Sequence, residues 1–130
     1  MAATQGYVYD DSFIADGALA KYRVVIWGGS DQRVKYPTQD NSAIVGITQE
    51  STSASGDRVL VRRAGITKVE AASGNITRGL TLRAYDAVGR VDRQGDAWVS
   101  GDGVVGMADQ ASAASGDIIE MWLNIRTVLG

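Results

Sequence analysis

The sequence predicts an all-β fold: a small β-barrel or β-sandwich of two pseudo-repeated halves, with at most one short helix and an extended N-terminal arm. Three observations lead to this prediction. A fifteen-residue segment occurs twice, and short runs of β-forming residues are separated by 16 glycines. No segment carries a sustained 3.6-residue apolar period between helix caps. Many short strands with frequent turns are typical of barrels and sandwiches.

The repeated segment covers residues 43–57 (AIVGITQESTSASGD) and residues 103–117 (GVVGMADQASAASGD), sixty positions later. In each copy an apolar run meets a glycine, small and polar residues follow, and Ser-Gly-Asp leads into a second apolar run. Glycine has no Cβ and therefore suits a tight turn or a close backbone approach. The unit is predicted to be a strand, a loop, a turn and a strand, with structural positions at Gly46, Gly56, Asp57, Gly106, Gly116 and Asp117.

The N-terminal residues are predicted to form an arm, residues 1–14, outside a single β domain of residues 15–130. The pseudo-repeats of that domain cover about residues 15–72 and 73–130. Tyr7, Tyr9 and Phe13 place three aromatic side chains in the arm. Two interpretations stay open: a frayed terminus, or an arm that orders against a partner through aromatic anchors. Removal of residues 1–13 is expected to leave the fold intact.

Other strands are predicted from runs of β-branched and aromatic residues. Residues 19–27 (LAKYRVVIW) open the first half, whereas residues 69–72 fit either a strand or a helical turn. Residues 117–128 make the clearest strand, with Trp122 on its polar face. A large aromatic in that position is typical of a sheet edge or a subunit contact, so Trp122 joins the contact candidates.

Composition excludes several classes of function. The chain has no cysteine and no histidine, so we expect no thiolate nucleophile, histidine base, cofactor or metal site built from these residues. The net charge is −2 without a basic stripe, which argues against nucleic-acid binding. No apolar run approaches the length of a membrane span, and no signal peptide is recognisable. An enzyme would have to work with Asp, Glu, Lys, Tyr or Ser, and a carboxylate-pair glycosidase is the one plausible chemistry; no enzymatic activity is expected.

Several short motifs follow one another in a characteristic order. An apolar pair with glycine (Ile44-Val45-Gly46) precedes a Gly-Asp turn and a Gly-Ile pair. A Gly-Leu-Thr-Leu strand (residues 79–82) then leads to an Asp-x-x-Gly-Arg turn (residues 86–90) and a second Val-Gly and Gly-Asp set. This order resembles the capsid cement, or head decoration, proteins of tailed bacteriophages. The match covers about residues 15–128, and the arm has no counterpart in it.

The resemblance implies a structural virion protein, made in the host cytoplasm, that binds the outer surface of a phage capsid. Its expected partners are the major capsid protein and itself, as a homotrimer, and it would clamp neighbouring coat subunits against the pressure of packaged DNA. The contact candidates are Tyr7, Tyr9, Phe13 and Trp122. Two alternatives stay open: a tail or baseplate protein, or a carbohydrate-binding module that stacks sugars on Trp27, Trp98 and Trp122.

Overall fold

The computed structural model describes residues 8–37, 43–93 and 103–127. Within these ranges the chain forms nine strands and no helix, which confirms the predicted all-β fold. Branched side chains dominate the strands because they suit a pleated, half-buried surface. The strands are β1 (Tyr9–Ala15), β2 (Val24–Trp27), β3 (Arg33–Lys35), β4 (Ile44–Thr48), β5 (Arg58–Glu70), β6 (Thr81–Ala84), β7 (Val91–Arg93), β8 (Gly103–Ala108) and β9 (Ile118–Thr127).

The first five strands close into a barrel. Their order is β1-β3-β2-β4-β5, and β1 pairs again with β5. β1 lies antiparallel to β5 and parallel to β3, while β2 lies antiparallel to both β3 and β4. Closure stabilises the sheet because it removes the free edges at which backbone N–H and C=O groups would lack partners.

The second half forms a ring of the same design around the C-terminal part of β5. Strands β9, β8, β6 and β7 follow β5 in order, and a parallel bridge between Ala71 and Val91 completes the ring. β5 thus serves both barrels: Ala64 pairs with β1, and the next residue, Gly65, pairs with β9. Gly65 has φ of 97°, a conformation that glycine adopts at little cost. The strand therefore changes barrels at a glycine.

The two barrels repeat their pairing register residue by residue. Thr48 pairs with Val61 in the first barrel, and Ala108 pairs with Met121 in the second, each sixty positions later. The register between β2 and β4 skips Val45, and the register between β6 and β8 skips Val105. An extra residue on one strand is a β-bulge, which sharpens the local twist. The sequence repeat is therefore also a repeat of strand pairing.

Each barrel has an apolar interior. The first is filled by Phe13, Ala15, Leu19, Val25, Val34, Val45, Val59 and Val61. The matching positions of the second barrel are Val69, Ala71, Ile76, Leu82, Val91, Val105, Ile119 and Met121, all within one larger cluster. Full burial of a large aliphatic or aromatic side chain contributes roughly 1.5–3 kcal/mol. These interiors are the main source of stability that the structure displays.

The outer face of β2 and β4 joins the first barrel to the second. Side chains on that face belong to the same cluster as the interior of the second barrel: Val24, Ile26, Ile44 and Ile47. The Val24 N–H donates to the Gly89 carbonyl at 2.7 Å, and Arg23 forms an ion pair with Glu70 at 2.9 Å. The outer face of the first barrel therefore extends the core of the second, while the interior of the first barrel is a separate cluster.

Two sequence-based expectations need correction, and one open alternative is resolved. The arm was predicted to end at residue 14, but Tyr9–Ala15 is β1, an integral strand of the first barrel; residues 1–7, including Tyr7, lie outside the described residues. The predicted strand over residues 19–27 begins only at Val24, because Tyr22 has φ of 64°. Residues 69–72 form no helical turn, since Val69 and Glu70 continue β5 and Ala71 bridges to Val91.

Candidate binding surfaces

The Ser-Gly-Asp turns are held by their own aspartates. The Asp57 carboxylate accepts the backbone N–H groups of Ser53 and Ala54 at 3.0 and 3.1 Å. The Asp117 carboxylate accepts those of Ala113 and Ala114 at 2.7 and 3.1 Å. The pKa of Asp57 is lowered mainly by the hydrogen bond from the Ser53 N–H and, to a smaller extent, by that from the Ala54 N–H. Gly56 and Gly116 have φ of 97° and 95°. Gly56, Asp57, Gly116 and Asp117 therefore shape the backbone of the two turns.

Gly46 and Gly106 lie where two backbones approach closely. A Cβ on Gly46 would stand 2.2 Å from the Arg62 carbonyl oxygen, and one on Gly106 would stand 2.0 Å from the Trp122 carbonyl oxygen. Real Cβ atoms do not come so near to a carbonyl oxygen, so any larger residue would push the paired strands apart. Both glycines sit at the bulges, where the chain must bend.

The predicted contact residues are not gathered on one surface. Tyr9 is 45% exposed on β1 of the first barrel, and Trp122 is 50% exposed on β9 of the second. Phe13 is only 2% exposed and belongs to the first interior, so its assignment as a contact residue is wrong. Its side chain points inward because strand residues alternate between faces. Tyr7 lies outside the described residues.

An apolar row crosses the outer face of the second barrel. Trp122 pairs with Ile66 on one side and with Met107 on the other, so the three side chains are direct cross-strand neighbours. Ile66 is 37% exposed and Met107 is 45% exposed. Sequence reasoning found Trp122 but missed Ile66 and Met107. Only the strand register brings these three residues together, and alternation within one strand does not reveal register.

A shallow cavity of about 290 Å³ opens beside this row, at the junction of the barrels. The Arg62 guanidinium reaches both Asp10 carboxylate oxygens, at 2.8 and 3.1 Å. The hydrogen bond to Asp10 raises the pKa of Arg62, so this side chain stays charged. Arg62 is one of the charged side chains that line this cavity. The cavity is lined by Tyr22, Gln49, Arg62, Ile66, Thr67, Lys68 and Glu120.

A second exposed aromatic lies at the β2–β3 turn. Trp27 is 43% exposed, and its ring meets the Phe13 ring edge-to-face at 5.6 Å. Arg63 lies over both rings at 5.7 Å from each centroid. Trp27 and the turn line a cleft of about 500 Å³. Trp27 and Trp122 lie on different barrels and share no described cavity, while Trp98 lies outside the described residues.

The turn itself is closed by an ion pair. The Asp16 carboxylate accepts the Gly29 N–H at 2.9 Å and binds Arg33 at 2.8 Å. The pKa of Asp16 is lowered mainly by the hydrogen bond from the Gly29 N–H and, to a smaller extent, by that from Arg33.

In the part of the chain that the structure describes, no three carboxylates cluster as metal ligands. Over the same ranges no helix could cross a membrane.

Comparison with solved structures shows a likeness in fold. No family model matches the chain, and no curated protein matches it. The chain is similar to the N base of the head fiber protein gp8.5 of bacteriophage phi29, with a TM-score of 0.69 and 16% sequence identity. The alignment covers 95% of this chain and all of that one (100%). At this identity the likeness shows a shared fold, and the chain therefore has the all-β architecture of a phage head-fiber base.

Proposed function

We propose that the protein is a structural component of a tailed-phage virion that binds the outer surface of the head and cements neighbouring major capsid subunits, as a homotrimer. One observation carries the proposal. A solved structure that this fold resembles over 95% of the chain is the base of a phage head fiber. The ordered motifs of the sequence resemble the head decoration proteins independently of that comparison.

The architecture suits a mechanical role. The two barrels share one long strand and a buried apolar junction, so a load applied at one barrel would be carried into the other through backbone hydrogen bonds. A cement that touches several coat subunits gains effective concentration with each contact, so modest contacts sum to firm attachment. A closed symmetric oligomer would present the same contact several times to a symmetric lattice.

Exposed residues at the β1 end are the best candidates for contact with the coat. Val8 and Tyr9 are each 45% exposed; Val8 directly precedes β1, and Tyr9 is its first residue. Amphipathic aromatics such as tyrosine are enriched at contact surfaces because one side chain offers both apolar area and a hydroxyl. Phe13, buried below them, would hold β1 in place rather than touch a partner.

Co-sedimentation tests the attachment. Purified protein is mixed with phage heads that lack it, and bound protein is measured in the head pellet. We expect saturable binding that Tyr9→Ser weakens at least tenfold. Tyr85→Ser, which removes a tyrosine that is 37% exposed on the second barrel, is the matched control and should bind like the wild type.

Thermal release of packaged DNA tests the cementing. Decorated heads should retain DNA at temperatures at which bare heads release it. If the protein attaches saturably but DNA release does not change, the cementing role is contradicted, while the proposal of head attachment still stands. A protein that ignores heads and is retained on a polysaccharide would contradict the whole proposal in favour of a carbohydrate-binding module.

A further inference from the structure

The apolar row of the second barrel has an internal counterpart in the first. The row Ile66–Trp122–Met107 continues to Thr81 on β6, because Thr81 pairs with Met107. Asp10 pairs with Arg62, Arg62 with Ile47, and Ile47 with Val24, across the matching strands. The two rows are therefore equivalent position by position: Asp10 with Ile66, Arg62 with Trp122, Ile47 with Met107, and Val24 with Thr81.

Every member of the first row has a partner inside the chain. Val24 and Ile47 are fully buried (0% exposed), in the cluster that includes the second barrel. Arg62 and Asp10 form a two-pronged ion pair, with each side chain 24% exposed. This outer face of a barrel is thus covered partly by another barrel and completed by a charged pair at its rim.

The second row carries apolar side chains that the fold does not require. Arginine and aspartate stand at the positions equivalent to Trp122 and Ile66, so the same strand geometry accepts charged residues there. Trp122, Met107 and Ile66 are nevertheless 50%, 45% and 37% exposed in direct contact along one row. A contiguous exposed apolar patch is typical of a binding surface.

The packing of the first barrel indicates which kind of partner fits the exposed row of the second barrel. In the first barrel, the positions equivalent to Met107 and Thr81 are covered by a barrel of the same architecture. Lys68 and Glu120, which pair across β5 and β9 beside the row, add opposite charges to its rim and so attract no strongly charged partner. A net charge of only −2 opposes self-association weakly.

We propose that the row Ile66–Trp122–Met107 is a self-association surface occupied by a second copy of this chain. This inference rests on the proposed homotrimer and names the surface that forms it. Trp122 is then the central anchor of an interface between copies rather than a coat contact. Large aromatics at the centre of an interface commonly contribute most of its binding energy.

The first barrel supplies the variant that tests the proposal. Ile66→Asp with Trp122→Arg transplants the ion pair of Asp10 and Arg62 onto the equivalent positions of the second barrel, where the fold accommodates it. Sedimentation velocity on the full chain, without heads, measures the mass. We expect an oligomer for the wild type and a monomer for the double variant, with unchanged circular dichroism. Val88→Asp replaces an apolar residue that is 42% exposed outside the row, and should remain oligomeric.

Two results would overturn the proposal: a monomeric wild type at the highest soluble concentration, or a double variant with the wild-type mass. If the double variant does not fold, the mass of the single variant Met107→Lys is measured instead, since that variant changes only one exposed side chain. Retention of the oligomer in folded Met107→Lys would equally overturn the proposal. Because no heads are present, failure here is distinct from failure of head attachment, which co-sedimentation measures separately.

Discussion

At the scale of single residues, the repeat separates what the fold requires from what it leaves free. Asp57 and Asp117 make the same pair of backbone hydrogen bonds in the two barrels. Arg62 and Trp122 occupy equivalent positions with opposite chemistry. Residues that recur therefore shape the backbone, whereas a position that differs between barrels is available for another role.

Gly46 tests the requirement for a close backbone approach. Gly46→Ala places a Cβ against the Arg62 carbonyl, so we expect the free energy of unfolding to fall by about 1–3 kcal/mol, the usual effect of overpacking. Gly17→Ala is the matched control, because nothing lies within 4 Å of its Cβ position. Urea unfolding of both variants checks the difference. Equal midpoints for the two variants would contradict the steric argument.

Asp57 gives the fold a pH dependence of known sign. The Ser53 and Ala54 N–H groups lower its pKa in the folded state, so the ionised carboxylate is favoured by folding. That stabilisation is present above the unfolded pKa of about 3.9 and is lost as pH falls through the lower folded value. We expect Asp57→Ala to melt below the wild type at pH 7, and the gap to close in acid. A gap for Asp57→Ala that stays constant with pH would refute the assignment.

At the scale of elements, β1 and β5 determine the architecture. β1 closes the first barrel, and β5 passes from that barrel into the second at Gly65. A segment that looks like a polar arm in sequence is thus a structural strand, because its alternate residues, Phe13 and Ala15, fill an interior. Its partner strand begins more than forty residues later in the chain.

Two truncations distinguish an arm from a strand. Removal of residues 1–7 leaves β1 whole, so we expect a cooperative melt near that of the wild type. Removal of residues 1–13 deletes Phe13 and opens the first barrel; loss of a buried phenylalanine alone costs about 3–5 kcal/mol. Circular dichroism against temperature measures both. A longer truncation that melts like the shorter one would show that β1 is dispensable.

At the scale of the whole molecule, a buried apolar junction joins the two barrels. Apolar side chains on the outer face of the first barrel lie in the same cluster as the interior of the second. Backbone hydrogen bonds from Val24 to Gly89 and from Glu70 to Tyr22 cross the junction. The core of the second barrel is therefore incomplete without the outer face of the first, whereas the interior of the first barrel is a cluster of its own.

Ile47 tests this coupling, because it is fully buried at the junction (0% exposed). Ile47→Ala should lower the stability of the whole molecule by about 2–5 kcal/mol. Scanning calorimetry should still show one transition, with equal calorimetric and van't Hoff enthalpies. Val61→Ala, a change inside the first barrel, is a control that should also give a single peak. Two separate peaks in either variant would show that the barrels unfold independently.

The all-β class, the duplicated unit and the turn residues follow from local patterns in the sequence. These are local properties, since alternation, Ser-Gly-Asp and glycine act within a few neighbouring residues. The tertiary structure alone decided that residues 9–15 are a strand, that β5 is shared, and that Ile66, Trp122 and Met107 form one row. Each of these depends on the pairing register between distant strands, and a strand carries the same alternation whichever partner it meets.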